Sequence, residues 1–195
     1  LTRHNNTPFG NLSEMIAWAK AHPGKLTYGS NGEGGFPHLW FEDLAKQAGI
    51  KFTFIPYKGA AQVATDLISG QIMVAGDGVS AMVPYLSANQ MKLLGVTSET
   101  RTVQFPDAPA IAEVLPGFTA TGEFGYVGPA KMQAEHVRIL NKAINDALLT
   151  PEVKARLPGL GLTAVTESPE YFEQVFKTQY ERFGNIIKAI GYQPK

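Results

Sequence analysis

The sequence contains no cysteine, no excess charge of either sign and no long apolar run. Without cysteine there can be no disulfide, no thiolate metal ligand and no cysteine nucleophile. The 17 basic and 17 acidic residues cancel, so the basic surface typical of nucleic-acid binding is missing and no nucleic-acid partner is expected. No apolar stretch is long enough for a transmembrane helix, and the opening residues LTRHNNTPFG are no signal peptide, so a secreted protein would have lost one.

Strand-like and helix-like patterns alternate between residue 12 and about residue 97. The patterns predict helices at 12–21, 37–48, 60–69 and 80–87, and strands at 26–30, 51–57, 71–75 and 92–97. Asn11 is the expected N-cap of the first helix, and Gly49 and Gly70 are expected to end the next two. Strands separated by helices at this spacing indicate right-handed βαβ units and a parallel sheet, so the fold class is α/β.

The pattern changes near residue 118. Proline and glycine mark loops at 106–109 and 115–117, after which residues 119–127 are expected to be extended. Helices are predicted at 133–149, from 151, and from 169 to 190, with Ser168 as N-cap and Gly191 just past the end. A short strand is predicted at 162–165. The change suggests a boundary between two lobes.

A glycine-rich turn, YGSNGEGGFPHL at residues 28–39, joins a predicted strand to a helix. A dinucleotide-binding turn needs a third glycine, but Pro37 stands there, and the next strand KFTFIPY ends without an acidic residue. A phosphate-binding P-loop is absent from the sequence, and residues 78–82 lack the second glycine of a nucleophile elbow. The turn therefore does not indicate a nucleotide site.

Two loops are predicted to meet at one edge of the sheet, because parallel strands end on the same side. Residues 30–35 leave one strand and residues 57–60 the next, and each loop leads into a helix N-terminus. Free amide groups and the helix dipole favour a carboxylate or phosphate there, and glycine lets a ligand approach the backbone closely. The alternative is that these glycines only form tight turns.

Asp77 follows the third strand and has two candidate roles. It could accept a hydrogen bond from a ligand, or it could cap the helix near Ser80. His38 is expected to pack against its turn rather than to contact a ligand. The remaining histidines are scattered and have no metal-ligand spacing, so neither a metal nor another cofactor is expected.

Four motifs resemble the Bug-type solute receptors of tripartite tricarboxylate transporters. They are GSNGEGGFPHL at 29–39, PYKGAAQVATDLISGQ at 56–71, VTSETR at 96–101 and PDAP at 106–109. The resemblance implies a two-lobed periplasmic-binding-protein-like fold, of the Venus-flytrap type, with a carboxylate-bearing solute between the lobes. It also implies these ligand-binding residues: Ser30, Asn31, Gly34, Gly35, Tyr57, Gly59, Ala60 and Asp77.

Within that family, residues 6–120 correspond to the second lobe. Residues 1–5 and 121–195 correspond to the C-terminal portion of the first lobe, whose N-terminal segment is absent from the sequence. Half of the solute clamp would then be missing. Two departures from the family pattern, apolar residues at 72–74 and the sequence PAKMQ at 129–133, affect which solute is preferred.

The sequence thus predicts a periplasmic receptor that binds a small mono- or dicarboxylate and delivers it to a membrane permease. Such a receptor performs no chemistry and uses no cofactor. An α/β enzyme that binds a phosphorylated or carboxylated substrate in the same crevice is the alternative. A third hypothesis is an interaction module that dimerises through the exposed face of its incomplete lobe.

Overall fold

In the computed structural model, residues 1–193 are described, apart from the side chain of Ser80. These residues form strands β1 (Thr2–Arg3), β2 (Leu26–Asn31), β3 (Phe52–Tyr57), β4 (Val74–Ala75) and β5 (Lys92–Leu93), and helices α1 (Leu12–Ala21), α2 (Phe36–Ala48), α3 (Ala60–Ser69), α4 (Val79–Ser87), α5 (Ala134–Leu148), α6 (Pro151–Arg156) and α7 (Pro169–Ile190). Short 3₁₀ turns lie at Ile111–Glu113 and Pro158–Leu160.

The described strands form one sheet in the order β3-β2-β4-β1-β5. Strand β2 pairs in parallel with β3 and β4, whereas β1 lies antiparallel between β4 and β5. The α/β class and the parallel βαβ part are confirmed. Strand β1 was not predicted, because two residues are too few to show an alternating pattern.

Two predicted strands are shorter than expected. Only Val74–Ala75 of the predicted strand 71–75 pairs in the sheet, and only Lys92–Leu93 of the predicted strand 92–97. Beyond β5, Val96 forms an isolated parallel bridge with Ala110. The apolar stretches of sequence are longer than the paired strands because residues such as Ile72 and Leu94 are buried in the core without belonging to a strand.

Helices cover both faces of the sheet. On one face, Tyr28 of β2 stacks on Phe41 of α2 with a ring separation of 3.7 Å, and Met15 of α1 is buried in the same core. On the other face, Val63 of α3 and Met82 of α4 are buried in a second core. Sheets covered by helices on both faces usually bind ligands at the ends of their strands.

The ends of the predicted helices are confirmed where a local signal was present. The Asn11 side chain caps α1, and Ser168 Oγ accepts a hydrogen bond from the Tyr171 amide at the start of α7. Gly49 and Gly70 end α2 and α3 with φ of 64° and 80°, a left-handed conformation that glycine adopts at low cost.

Contacts divide the chain into two units. Unit 1 comprises Leu1–Gly122 with the described residues from Ile186 onward, and unit 2 is Glu123–Asn185. Strand β1 lies within the sheet of unit 1, where it pairs with β4 and β5. The assignment of residues 6–120 to one lobe, and of 1–5 and 121–195 to the other, stays a prediction.

Unit 2 contains helices and loops. In it, the side-chain amides of Asn141 and Asn145 donate to the Glu167 carbonyl at 3.0 and 3.1 Å. The predicted strand at 162–165 is wrong, because a strand needs a partner and the described part of unit 2 offers none. Among residues 1–193, no helix is both long and apolar enough to span a membrane.

Candidate ligand site

The loops that follow β2, β3 and β4 lie side by side at one edge of the sheet. In the ladders, Asn31 pairs with Tyr57, and Gly29 pairs with Ala75. The Gly32 amide donates to the Tyr57 carbonyl at 2.9 Å, which joins the first two loops beyond the ends of their strands. The structure therefore brings the predicted site residues of all three loops to the same edge.

Three helices begin at this edge, and each has glycine as its N-cap. Gly35, Gly59 and Gly78 precede α2, α3 and α4, and no described side chain caps any of these helices. The first amide groups of a helix have no partner within the helix, and the helix dipole places about half a positive charge there. An anion at this edge could accept hydrogen bonds from such groups.

Gly59 faces open space. A Cβ atom built on Gly59 would meet no atom within 4 Å, and its backbone is extended with φ of −173° and ψ of 159°. Any residue can adopt that conformation, so the backbone does not require glycine here. Ala60 follows as the first residue of α3, beside the same space.

Gly34 and Gly35 shape the glycine-rich turn, and their amide groups are used within it. Gly34 has φ of +73°, and its amide donates to His38 Nδ1 at 3.0 Å. The Gly35 amide points to the Gly32 carbonyl at 3.4 Å. In the structure these two residues therefore offer no free backbone donor to a solute, unlike the expectation from sequence.

The His38 side chain is hydrogen-bonded to the glycine-rich turn. Its Nδ1 accepts from Gly34, so the ring proton lies on Nε2, which is 3.3 Å from Glu42 Oε1. The ring also stacks on Phe54 at 3.8 Å. The prediction that His38 packs against its turn is confirmed.

Two buried polar atoms at the edge have no hydrogen-bond partner among the described residues. They are Ser30 Oγ, in a fully buried residue, and Asp77 Oδ2. The other carboxylate oxygen, Asp77 Oδ1, accepts from the Gly78 amide at 2.7 Å. Because Gly78 is the N-cap of α4, Asp77 is not that helix's capping residue. Buried polar atoms in proteins are nearly always paired with protein groups, water or a ligand, so both atoms have room for one further polar partner.

The Tyr28 hydroxyl lies beside this pair. It donates to the Pro37 carbonyl at 2.7 Å. Burial raises the pKa of Tyr28 well above its ordinary value, the nearby Ser30 hydroxyl opposes that shift, and the charge of Asp77 adds to it. Tyr28 therefore stays a neutral donor at physiological pH.

Tyr57 and Asn31 complete the predicted set. The Tyr57 hydroxyl donates to Asp66 Oδ2 of α3 at 2.8 Å, and burial together with Asp66 raises the pKa of Tyr57 to about 12. The Tyr57 hydroxyl is therefore bonded to α3, and its proton is not available to a solute. Asn31 is exposed at the end of β2.

Tyr192 contacts the glycine-rich turn and was missed by the sequence analysis. Its hydroxyl donates to the Glu33 carbonyl at 3.2 Å, across 159 positions of sequence, and no local pattern signals such a contact. Among the described residues, no group of three or more His, Asp or Glu side chains could hold a metal ion.

Comparisons with known proteins identify the family and the fold of the chain. Residues 1–192 match the family described as the tripartite tricarboxylate transporter family receptor. A curated relative, the UPF0065 protein in the gbd 5′ region of Cupriavidus necator, is 32% identical over 186 residues. The match covers 95% of this chain and 57% of the relative, so the chain spans little more than half of that protein's length.

Two solved structures have the same fold. The R. palustris protein Rpa4515, solved with adipate, is 26% identical with a TM-score of 0.85 over all of this chain and 65% of its own. A TctC solute binding protein from Polaromonas, solved without ligand, is 23% identical with a TM-score of 0.83, over 96% of this chain and 65% of its own. The second likeness concerns the fold alone. The predicted periplasmic-binding-protein-like α/β fold is confirmed.

Proposed function

Because the chain belongs to the family of tripartite tricarboxylate transporter receptors, we propose that it binds a small carboxylate-bearing anion and delivers it to a membrane permease. The protein would act in the periplasm. Binding would shift a conformational equilibrium that the permease reads, without any chemical change in the solute.

The observation that carries the proposal is the edge where α2, α3 and α4 begin. The first turns of these helices, whose glycine N-caps have no capping side chain, supply amide groups and positive dipole ends. The open space at Gly59 leaves room for a ligand against α3. A carboxylate suits such a site because it accepts several hydrogen bonds and carries the complementary charge.

The solute class is proposed from two further observations. The relative Rpa4515 was solved with adipate, a dicarboxylate, and this supports a small organic acid as the ligand. The unpaired Asp77 Oδ2 and Ser30 Oγ would contact a second polar group of the solute. We therefore assign the carboxylate to the helix N-termini, with Ser30, Asn31, Gly59, Ala60 and Asp77 as the residues around the solute.

The alternative is an α/β enzyme that uses the same crevice. Catalysis there would need a nucleophile beside a base, or a metal ion. Tyr28 and Tyr57 both have a raised pKa and remain protonated, and the His38 ring nitrogens face Gly34 and Glu42. The described residues at this edge therefore favour binding over catalysis.

Mass spectrometry of small molecules retained by the gently purified protein would test the function. We expect a mono- or dicarboxylate, and adipate added in calorimetry should compete with it. A retained phosphorylated metabolite, turned over during incubation, would contradict the proposal and favour the enzyme.

A further inference from the structure

Tyr192, which lies just after α7, contacts the glycine-rich turn of the candidate site. Gly191 follows the helix with φ of +67°, and the Tyr192 amide donates to the Ile187 carbonyl at 3.1 Å. These contacts turn the chain at the helix end and fix the backbone from which the Tyr192 side chain projects.

The Tyr192 side chain contacts the turn in two ways. Its hydroxyl donates to the Glu33 carbonyl at 3.2 Å. Its ring lies so close to Gly34 that a Cβ atom built there would be 2.5 Å from Cε1 and 2.9 Å from the hydroxyl oxygen. Only glycine at position 34 accommodates both the ring and the positive φ.

Two other hydrogen bonds fix the backbone on either side of Glu33. Gly32 is bound to the Tyr57 carbonyl, and Gly34 is bound to His38 of α2. Between them, the Glu33 carbonyl accepts a hydrogen bond from the Tyr192 hydroxyl. Tyr192 therefore secures the middle of the turn.

We propose that Tyr192 is a positioning residue that holds residues 32–35 in the binding-competent conformation. This inference rests on the proposed function, since it assumes that the turn borders a solute. A glycine-rich segment has large conformational freedom, and ordering it on binding lowers affinity. Tyr192 supplies that order before the solute arrives, although it does not contact the solute itself.

Amide hydrogen exchange measured by NMR without any solute gives the first test. Removing the hydroxyl with Tyr192→Phe should speed exchange of the Gly34 and Gly35 amides about fivefold, the effect of one ordinary hydrogen bond. Tyr192→Ala should speed it further. Tyr180→Phe, on the exposed part of α7, is the matched control and should change neither amide.

A double-mutant cycle gives a second test. Gly34→Ala should destabilise the wild-type chain through both the backbone strain and the clash with the ring, but should destabilise Tyr192→Ala less. Equal costs in the two backgrounds, or unchanged exchange in both Tyr192 variants, would overturn the positioning role.

Calorimetry with adipate then links the turn to binding. Tyr192→Phe should raise the dissociation constant about fivefold relative to wild type and Tyr180→Phe. Faster exchange with unchanged adipate affinity would overturn the role in binding. If the wild-type chain bound neither adipate nor any other carboxylate, the proposed function would fail, whereas the exchange result would still decide whether Tyr192 holds the turn.

Discussion

Gly34 and Gly59 are glycine for different physical reasons. Gly34 has a positive φ and lies under the Tyr192 ring, so the protein's own structure requires it. Gly59 is extended and faces open space, so nothing in the described chain requires it. A ligand that occupies this space would explain the glycine at position 59.

Gly59→Val should weaken carboxylate binding at least tenfold while lowering the free energy of unfolding by no more than about 1 kcal/mol, the usual effect of a poorer N-cap. Gly59→Thr is the matched variant, since threonine has the same shape and caps helices well. Calorimetry and urea unfolding would measure both. If both variants bound like wild type, the space at Gly59 would not be part of the site.

Gly34→Val, unlike Gly59→Val, should lower the free energy of unfolding substantially. Its side chain would meet the Tyr192 ring and force a β-branched residue to a positive φ, so the fold should lose stability along with binding. Gly34 therefore serves the tight turn, the alternative that the sequence left open for these glycines.

Asp77→Asn should alter which solutes bind. Asparagine can still accept from the Gly78 amide, but its second group is a donor and can no longer accept at the place of the unpaired Oδ2. Hydroxy- and amino-substituted dicarboxylates should lose about fivefold in affinity relative to plain dicarboxylates. An unchanged ranking across such a panel would show that Asp77 has only a structural role.

At the scale of elements, the motifs at 96–101 and 106–109 are joined by Arg101. We call Arg101, Pro106 and Glu113 the clamp. Arg101 binds Glu113 through two hydrogen bonds of 2.8 Å and donates to the Pro106 carbonyl at 3.1 Å. Glu113 Oε1 also accepts from the Ala110 amide at the start of the 3₁₀ turn. These motif residues therefore fasten a loop in unit 1 rather than contact the candidate site.

The clamp predicts a pH dependence. The Arg101 guanidinium, followed by the Ala110 amide, lowers the pKa of Glu113 from its ordinary value of 4.5 to about 2. Because this pKa is depressed in the folded state, its stabilisation is present above about pH 4.5 and is lost as the pH falls through 2. Urea unfolding between pH 4.5 and 2 should therefore show a shallower acid loss of stability in Glu113→Gln.

Glu173→Gln is the control for that experiment, since it breaks an exposed ion pair with Lys177 on α7. If the free energy of unfolding fell as steeply with decreasing pH in Glu113→Gln as in wild type, the clamp would not be the source of the acid loss.

Elements with local signals were predictable and those with distant partners were not. Asn11, Gly49 and Ser168 mark helix ends within one turn of sequence, and all three ends were predicted. The parallel pattern also predicted that the loops after β2 and β3 meet. Strand β1 and the contact of Tyr192 depend on partners far along the chain, which no short pattern reveals.

At the scale of the molecule, the helices of unit 2 expose apolar side chains. Helix α5 has an amphipathic pattern but no buried residue. Ile139 is 58% exposed, and Phe176 and Tyr180 of α7 are 62% and 77% exposed. Exposed apolar side chains in this number are typical of surfaces that another polypeptide covers.

We expect the 195-residue chain to self-associate through these side chains, most simply as a dimer. Phe176→Lys combined with Ile139→Lys should shift it toward monomer in sedimentation equilibrium. Val103→Lys, at a 98% exposed apolar position in unit 1, is the control and should leave association unchanged. A wild-type chain that stays monomeric at high concentration would contradict this prediction.

The position of β1 also sets an order of assembly. Thr2 pairs with Ala75, 73 positions further along the chain, and with Leu93 on its other side, whereas Leu26 of β2 pairs with the nearer Phe52. Closing the longer loop costs only about 1 kcal/mol more in chain entropy, because that cost grows with the logarithm of length. During synthesis, however, β2 and β3 are available to pair while β1 still lacks both neighbours. The sheet is therefore completed at an interior strand that is made before either of its neighbours.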